Sequence, residues 1–344
     1  MSTHAEPVTI ARQKKFEFPA PSPNAVGRLA DVSSEDCIHH LEEDSPARLI
    51  WYGEDLWRVK LPAGTRMIYP KPTIPGVPNR EAGIRYALDH PEGMDPLAAY
   101  LRPGMKVTIA IDDISLPLPS MRKPDIRETQ LTVLLELLAA HGVDDVHIII
   151  ATSYHRRMEP FEIEHAVGSR IYRAYYPDRL YNHDGDDPDG MVELETTELG
   201  ERVRINRRAA ESDLLIYANI NLVPMDGGAK SVSVGLCDYA SLQAHHTPQT
   251  ILKCDSYFDH RRSALTDSCN RMMKVISRHI KTFHIETVVN NAMFDPRMQF
   301  FMKNEDRWNT IDQVSFKVTQ FALSKLSRRM KRKLLFSFPA WYEM

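Results

Sequence analysis

The order of periodicities along this chain predicts an α/β fold: a parallel-sheet domain followed by a smaller second α/β domain. Three consecutive stretches carry the prediction. Lys106-Val107-Thr108-Ile109-Ala110-Ile111 is a β-branched apolar run, Leu131, Leu134, Leu135 and Leu138 recur at helical spacing, and Val146 to Ala151 is a second apolar run. Apolar runs of that length suit strands buried on both faces, and the leucine spacing suits a helix with one apolar side. Strand, helix and strand with short joints make a βαβ unit, so the strands are parallel and helices cover the sheet.

The elements follow in chain order. Residues 1–45 mix Pro, Ser and charged residues without sustained periodicity and read as an irregular lead-in. Leu49-Ile50-Trp51-Tyr52, a Gly53-Glu54-Asp55 break and Leu56 to Leu61 predict a β-hairpin. Pro70, Pro72, Pro75 and Pro78 then exclude central strand or helix, because proline lacks an amide donor. Asp125 with Glu128 has the spacing of a capping box at the start of the leucine helix, and Gly142 is its stop signal. A second hairpin is expected over Met191–Thr197 and Arg202–Asn206, and a buried strand over Asp213–Ala218. Residues 260–282 read as a long helix, 283–290 as a strand and 312–328 as a helix. The boundaries assigned are 46–260 for the first domain and 261–344 for the start of the second.

Bulk properties exclude several classes of function. The 344 residues carry a net charge of −3, so no global basic field points to nucleic acid. No apolar stretch approaches the roughly 20 residues that span a bilayer, so a membrane protein is not expected. Cys37, Cys237, Cys254 and Cys269 include no Cys-x-x-Cys pair, and no secretory leader opens the chain. Reduced thiols and a cytoplasmic location are the expectation. Lys325, Arg328, Arg329, Lys331, Arg332 and Lys333 precede Leu334-Leu335-Phe336. They suit either a basic amphipathic contact or an ordinary packed helix.

Ligands of open α/β sheets sit beyond the carboxyl ends of the strands. That rule selects Asp112-Asp113-Ile114-Ser115, Tyr154-His155-Arg156-Arg157 and the segment after Ala218. In the last, Asp226-Gly227-Gly228-Ala229-Lys230-Ser231 is a glycine turn opening a short helix, whose amides can cradle an anion beside a cationic or nucleophilic lysine. It is not a P-loop, because Pro224 and Ala229 stand where that motif needs glycine. The adjacent pair His245-His246 offers imidazole nitrogens for a metal. The chain contains no H-E-x-x-H, no G-x-G-x-x-G after a strand and no G-x-S-x-G, which removes support for zinc protease, ordinary dehydrogenase and esterase readings.

Taken in order, these motifs resemble a known family. Leu101-Arg102-Pro103-Gly104, Asp113-Ile114-Ser115-Leu116-Pro117-Leu118-Pro119, Ala151-Thr152-Ser153-Tyr154-His155-Arg156, Asn182-His183-Asp184, Gly227-Gly228-Ala229-Lys230-Ser231 and His246 are similar to the nickel-dependent lactate racemases and their 2-hydroxy-acid relatives. The resemblance covers about residues 80–250. It implies two α/β domains with the site in the cleft between them, so the first domain becomes the nucleotide-site domain and the second an incomplete one.

The resemblance further implies a nickel-pincer nucleotide, a pyridinium-3-thioamide-5-thiocarboxylic acid mononucleotide, tethered covalently to Lys230. His246 then completes the nickel coordination, Asp113, Gly227, Gly228 and Ser231 lie at the cofactor, and His155 is the base that takes the hydroxyl proton of a 2-hydroxy acid. Implied partners are a small hydroxy-acid-type substrate and the proteins that mature the cofactor. Three departures stand against full equivalence. Leu116 replaces an arginine, Ile220 replaces a second histidine, for which Asp226 is the substitute base, and the second domain is short. Two outcomes remain open: a racemase or epimerase, or a non-racemising member that binds the nucleotide or needs a partner chain to complete the cleft.

Overall fold

The computed structural model describes residues 37–331 except 53–54, 70–74, 115–120, 223–225, 257–258 and 328–329. Leu116, Pro224, most of the N-terminal lead-in and most of the basic cluster near 328–333 lie outside the described residues. In chain order the elements begin with β1 (Ile38–His40), β2 (Arg48–Tyr52), β3 (Asp55–Val59), β4 (Arg66–Ile68), α1 (Arg80–Asp89), β5 (Lys106–Asp112), α2 (Ile126–Ala140) and β6 (Asp145–Ala151). Next come α3 (Pro160–Val167), α4 (Ser169–Tyr175), β7 (Leu180–Asn182), β8 (Met191–Thr196), β9 (Arg202–Asn206), α5 (Arg207–Ala210) and β10 (Leu214–Asn221). The chain continues through α6 (Ala229–Gly235), α7 (Tyr239–Leu242), α8 (Pro248–Leu252), α9 (Ala264–His279), β11 (Thr282–Val288) and α10 (Thr310–Lys325).

Five strands form one parallel sheet in the order β11-β10-β5-β6-β7. The expected βαβ unit is present as β5, α2 and β6. Alternation along each strand divides the sheet's side chains between two layers. Val107, Ile109 and Ile111 with Leu214, Ile216, Ala218 and Ile220 pack among residues of α1 to α4. Ala110, Ile149, Leu215 and Tyr217 pack on the other face, against α6 and α9. With both faces covered, the sheet is three layers deep.

Residues 261–344 are expected to begin a second domain. Instead β11 pairs with β10 along its whole length, and α9 lies on the same sheet face as α6. A strand's own composition does not encode its pairing partner, so the sequence shows a strand here but not the sheet it joins. A separate apolar cluster joins Leu49 and Leu56 of the first hairpin to Met298, Phe300, Trp308, Phe316 and Leu323. Two parts of the chain far apart in sequence therefore build this smaller core together. Ile38–His40, within the expected irregular lead-in, pairs antiparallel with Arg66–Ile68.

The start of α2 also differs from expectation. Asp125 caps it by accepting from the Arg127 amide at 2.9 Å, but Glu128 does not close a capping box and faces Lys123 at 3.7 Å. Asp125 is occupied instead by Arg127, whose Nε and Nη2 bind its two carboxylate oxygens at 3.0 and 2.9 Å.

Candidate functional site

The carboxyl ends of β5, β6 and β10 meet at one edge of the sheet, and the candidate residues lie there. The end of β5 is held by the buried Arg127, whose Nη1 donates to the carbonyls of Asp112 and Asp113 at 3.1 Å each. A charged donor fixed by its own carboxylate makes a stiff strut. Asp112 turns inward, accepting from the Tyr217 hydroxyl at 3.0 Å and from the Ile220 amide. Burial raises its carboxyl to about 7 despite those two donors.

Asp113 points to the site. Its Oδ2 lies 2.9 Å from Nδ1 of His155. An ionised carboxylate only accepts, so Nδ1 carries the proton and Nε2 keeps its lone pair. Burial of the imidazole works against its charged form, yet the hydrogen bond and charge of Asp113 outweigh it. The His155 pKa is raised, even with Lys230 opposing.

The turn that presents His155 is tightly built. Ser153 has φ of +48°, in the left-handed region, and its amide donates to the Gly235 carbonyl at 3.0 Å. Arg156 forms two hydrogen bonds with the buried Glu162, at 2.7 and 2.9 Å. The Tyr154 hydroxyl donates to Asp186 and accepts from the Tyr239 amide, at 2.9 Å in both cases. His183 is buried and ties the same region down: its Nε2 lies 2.8 Å from the Cys237 carbonyl.

The glycine turn enters α6 from β10. Lys230 Nζ is 3.0 Å from Asp226 Oδ1, one helical turn back, and Asp226 Oδ2 accepts from the Leu222 amide at 3.2 Å. Asp226 therefore faces the lysine. Gly227 and Gly228 have φ of +92° and +58°, conformations that only glycine adopts freely. The anion expected at this turn is supplied by the chain itself. Gly228 donates its amide to Glu286 Oε1 of β11 at 2.8 Å, and Glu286 Oε2 accepts from the Asn219 amide group at 2.8 Å. Ser231 donates to Asn219 Oδ1 at 3.2 Å. Ile220, the position at which the resemblance places a second histidine, is buried on the opposite sheet face.

His245 and His246 face each other through their Nδ1 atoms at 2.7 Å, with ring planes inclined at 67°. His245 is fully buried, and its Nε2 has no hydrogen-bond partner. His246 is exposed at the surface, yet desolvation of its ring is the main cause of a pKa lowered to about 4, and the charges of Lys230 and His155 push the same way. His246 is thus neutral at physiological pH and has a nitrogen lone pair to offer. The same electrostatics show that Lys230, His155 and His246 lie within one another's field.

A cleft of about 410 Å³ opens beside Lys230, walled by the glycine turn, α9 and Glu286. Among the described residues no group of three or more His, Cys, Asp or Glu side chains is arranged to hold a metal alone. A metal at His246 would take its remaining donors from a bound group, and Lys230 is placed to tether one. Those two residues fit a tethered metal–nucleotide, whereas the Gly228 amide is already engaged. Sequence reasoning missed Arg127 and Glu286, since neither falls in a motif and each acts through a partner distant in the chain.

Residues 52–256 match the family model described as the lactate racemase N-terminal domain. The chain is 28% identical over 173 residues to a lactate racemase of Lactiplantibacillus plantarum, covering 49% of this chain and 38% of that protein. It is 25% identical over 172 residues to a lactate racemase of Thermoanaerobacterium thermosaccharolyticum, with 49% and 38% covered. The matched part of the chain therefore spans about two fifths of each relative. The solved lactate racemase apoprotein from T. thermosaccharolyticum shares the fold, with a TM-score of 0.53 at 21% identity, over 72% of this chain and 57% of that one.

Proposed function

Because this chain belongs to the lactate racemase N-terminal domain family, we propose that it is a racemase or epimerase of a 2-hydroxy acid or related hydroxy compound, working by hydride transfer with a nickel-pincer nucleotide tethered to Lys230. The observation that supports this best is the convergence of three groups at one sheet edge. They are His155 oriented by Asp113, Lys230 held by Asp226, and a neutral His246 whose pKa is lowered by desolvation and by the charges that Lys230 and protonated His155 carry.

Each residue has a role that follows from its surroundings. His155 presents Nε2 as the base for a substrate hydroxyl, and Asp113 stabilises the imidazolium that results. Arg127 and the Tyr154 and Arg156 contacts hold the dyad in place. Lys230 is the tether and His246 the nickel ligand, a nitrogen donor suited to nickel beside sulfur. When bound, the nucleotide would supply an acceptor that can return hydride to either face of the carbon. Asp226 is the candidate for the second base. Cofactor maturation proteins and a small hydroxy-acid-type substrate are the partners this reading requires. Among the described residues no helix is long and apolar enough to cross a membrane.

Ile220 favours a second reading. With an apolar side chain buried on the far face, that position brings no base to the site, as expected of a member that binds the nucleotide without racemising or that completes its cleft with a partner chain. Intact-protein mass spectrometry with nickel analysis separates the outcomes, on protein produced together with the cofactor-making enzymes. The racemase reading expects an adduct with stoichiometric nickel, the adduct lost in Lys230→Ala and the nickel lost in His246→Ala. A bare polypeptide from cells that load a known racemase would overturn it.

A further inference from the structure

The helix α10 is apolar on two opposite sides. Its inner side, with Phe316, Thr319 and Leu323, is buried, and Phe316 and Leu323 belong to the small second core. Its outer side carries Ile311, Val314, Val318 and Phe321, which are between 54 and 74% exposed. A helix with one solvent face needs a single apolar stripe, whereas one that is apolar on both sides belongs between two packed bodies. Among the described residues the outer stripe is left bare. Trp57 of β3, 45% exposed, extends it, because Trp57 and Phe321 line one groove of about 430 Å³. Together these side chains present apolar surface on the order of 500 Å², at the upper end of what a monomer leaves bare in one patch.

The spacing points to the occupant. Ile311, Val314, Val318 and Phe321 recur at intervals of three, four and three residues, the repeat by which one helix packs on another. That order reads the same in both directions. A two-fold axis beside position 316 therefore lays the stripe on its own copy, antiparallel and in register. Ile311 then meets Phe321 of the partner subunit, and Val314 meets Val318 of the partner subunit. The small valines lie at the centre, as suits helices that approach most closely where they cross. We propose that α10 is the interface of a two-fold homodimer paired through this stripe. With its polar rim of Gln313, Lys317 and Gln320, the patch approaches the roughly 800 Å² per partner of a standard interface. Lys317 flanks the stripe near the axis and faces its own copy, so association strengthens as salt screens the two ammoniums. The inference goes beyond the racemase reading and does not depend on it.

Sedimentation equilibrium of the full chain tests the proposal. The mass is expected to rise from monomer to dimer with concentration. Phe321→Glu, which sets a carboxylate in each half of the pairing, is expected to weaken association by roughly tenfold or more. Leu199→Glu is the control: Leu199 is an equally bare apolar residue, 69% exposed, between β8 and β9, and its change should leave the mass as it is. Trp308 fluorescence reports in each variant whether the small core has formed. The register is read by mixing Ile311→Cys with Phe321→Cys under mild oxidation. A disulfide is expected in the mixture and in neither variant alone, because the two copies of either position lie about 15 Å apart across the axis, too far to bridge. A chain that stays monomeric at every concentration, including one that gains mass only with another protein, overturns the inference. So does association untouched by Phe321→Glu, or a disulfide formed by either cysteine variant alone beyond the wild-type level.

Discussion

Nδ1 of His155 lies 2.9 Å from Oδ2 of Asp113, and the two residues reach each other from the ends of neighbouring parallel strands. That pairing raises the pKa of the imidazole against the effect of its burial. In an NMR titration, the His155 ring protons should change at a pH above the ordinary histidine value of about 6.5. Asp113→Asn should move the midpoint down, since burial and Lys230 then act without opposition. For turnover, the base must be neutral, so kcat/KM should rise through the same raised pKa. A midpoint that ignores Asp113→Asn would remove the dyad.

Gly227 should not tolerate a side chain. Its φ is +92°, and an added Cβ would stand 2.4 Å from Glu286 and 2.7 Å from Asn221. Gly227→Ala is expected to cost about 1–3 kcal/mol in urea unfolding, from the strained conformation and the displaced carboxylate. Gly200→Ala tests how much is conformation alone, because its φ is +77° with nothing within 4 Å of the new carbon. Equal losses at the two sites would show that the carboxylate contact adds nothing.

The small second core is pinned by Arg48, which is 1% exposed. It donates to Asn304 at 2.9 Å and to Asp306 at 2.9 Å, and it lies 3.4 Å from the buried Glu305. Arg48→Ala would strand Glu305 without its cation, with an expected loss of about 3–5 kcal/mol. Denaturation followed by tryptophan fluorescence checks this through Trp308, which sits in that core. A loss below about 1 kcal/mol, the size of an exposed ion pair, would contradict the assignment.

Stability should fall on mild acidification. Burial lowers the pKa of His147, His165, His183, His245, His246 and His284. Each is neutral in the folded chain but binds a proton when unfolded below about 6.5, so its contribution is complete above that pH and is lost as pH falls toward the folded value. For His245 that value is about 3. His155 and Asp112, both raised, act in the opposite direction. Six against two leaves net proton uptake on unfolding, each uncompensated proton worth up to roughly 1.4 kcal/mol per pH unit. Urea unfolding should therefore give lower stability at pH 5 than at pH 7; equal or greater stability at pH 5 would contradict the burial of these rings.

What the sequence determined by itself is local. The runs around Ile109 and Ile149, the leucines of 131–138 and the hairpin at 191–206 each specify their element, because hydrophobic periodicity is written within a dozen consecutive residues. The positions of His155, Lys230 and the glycine turn were legible for the same reason: strand ends and helix starts carry the chemistry in this class of fold. Tertiary structure decided the partnerships. Glu286 reaches Gly228 across 58 positions in sequence, and it does so because β11 lies beside β10. Arg127 holds the end of β5 because α2 folds back over it. Even the membership of Thr282–Val288 in the main sheet depended on which strand was left with an open edge. A strand's amides bind any compatible neighbour, so its own pattern cannot choose one; the shared core does, and with it the placing of Glu286 at the glycine turn.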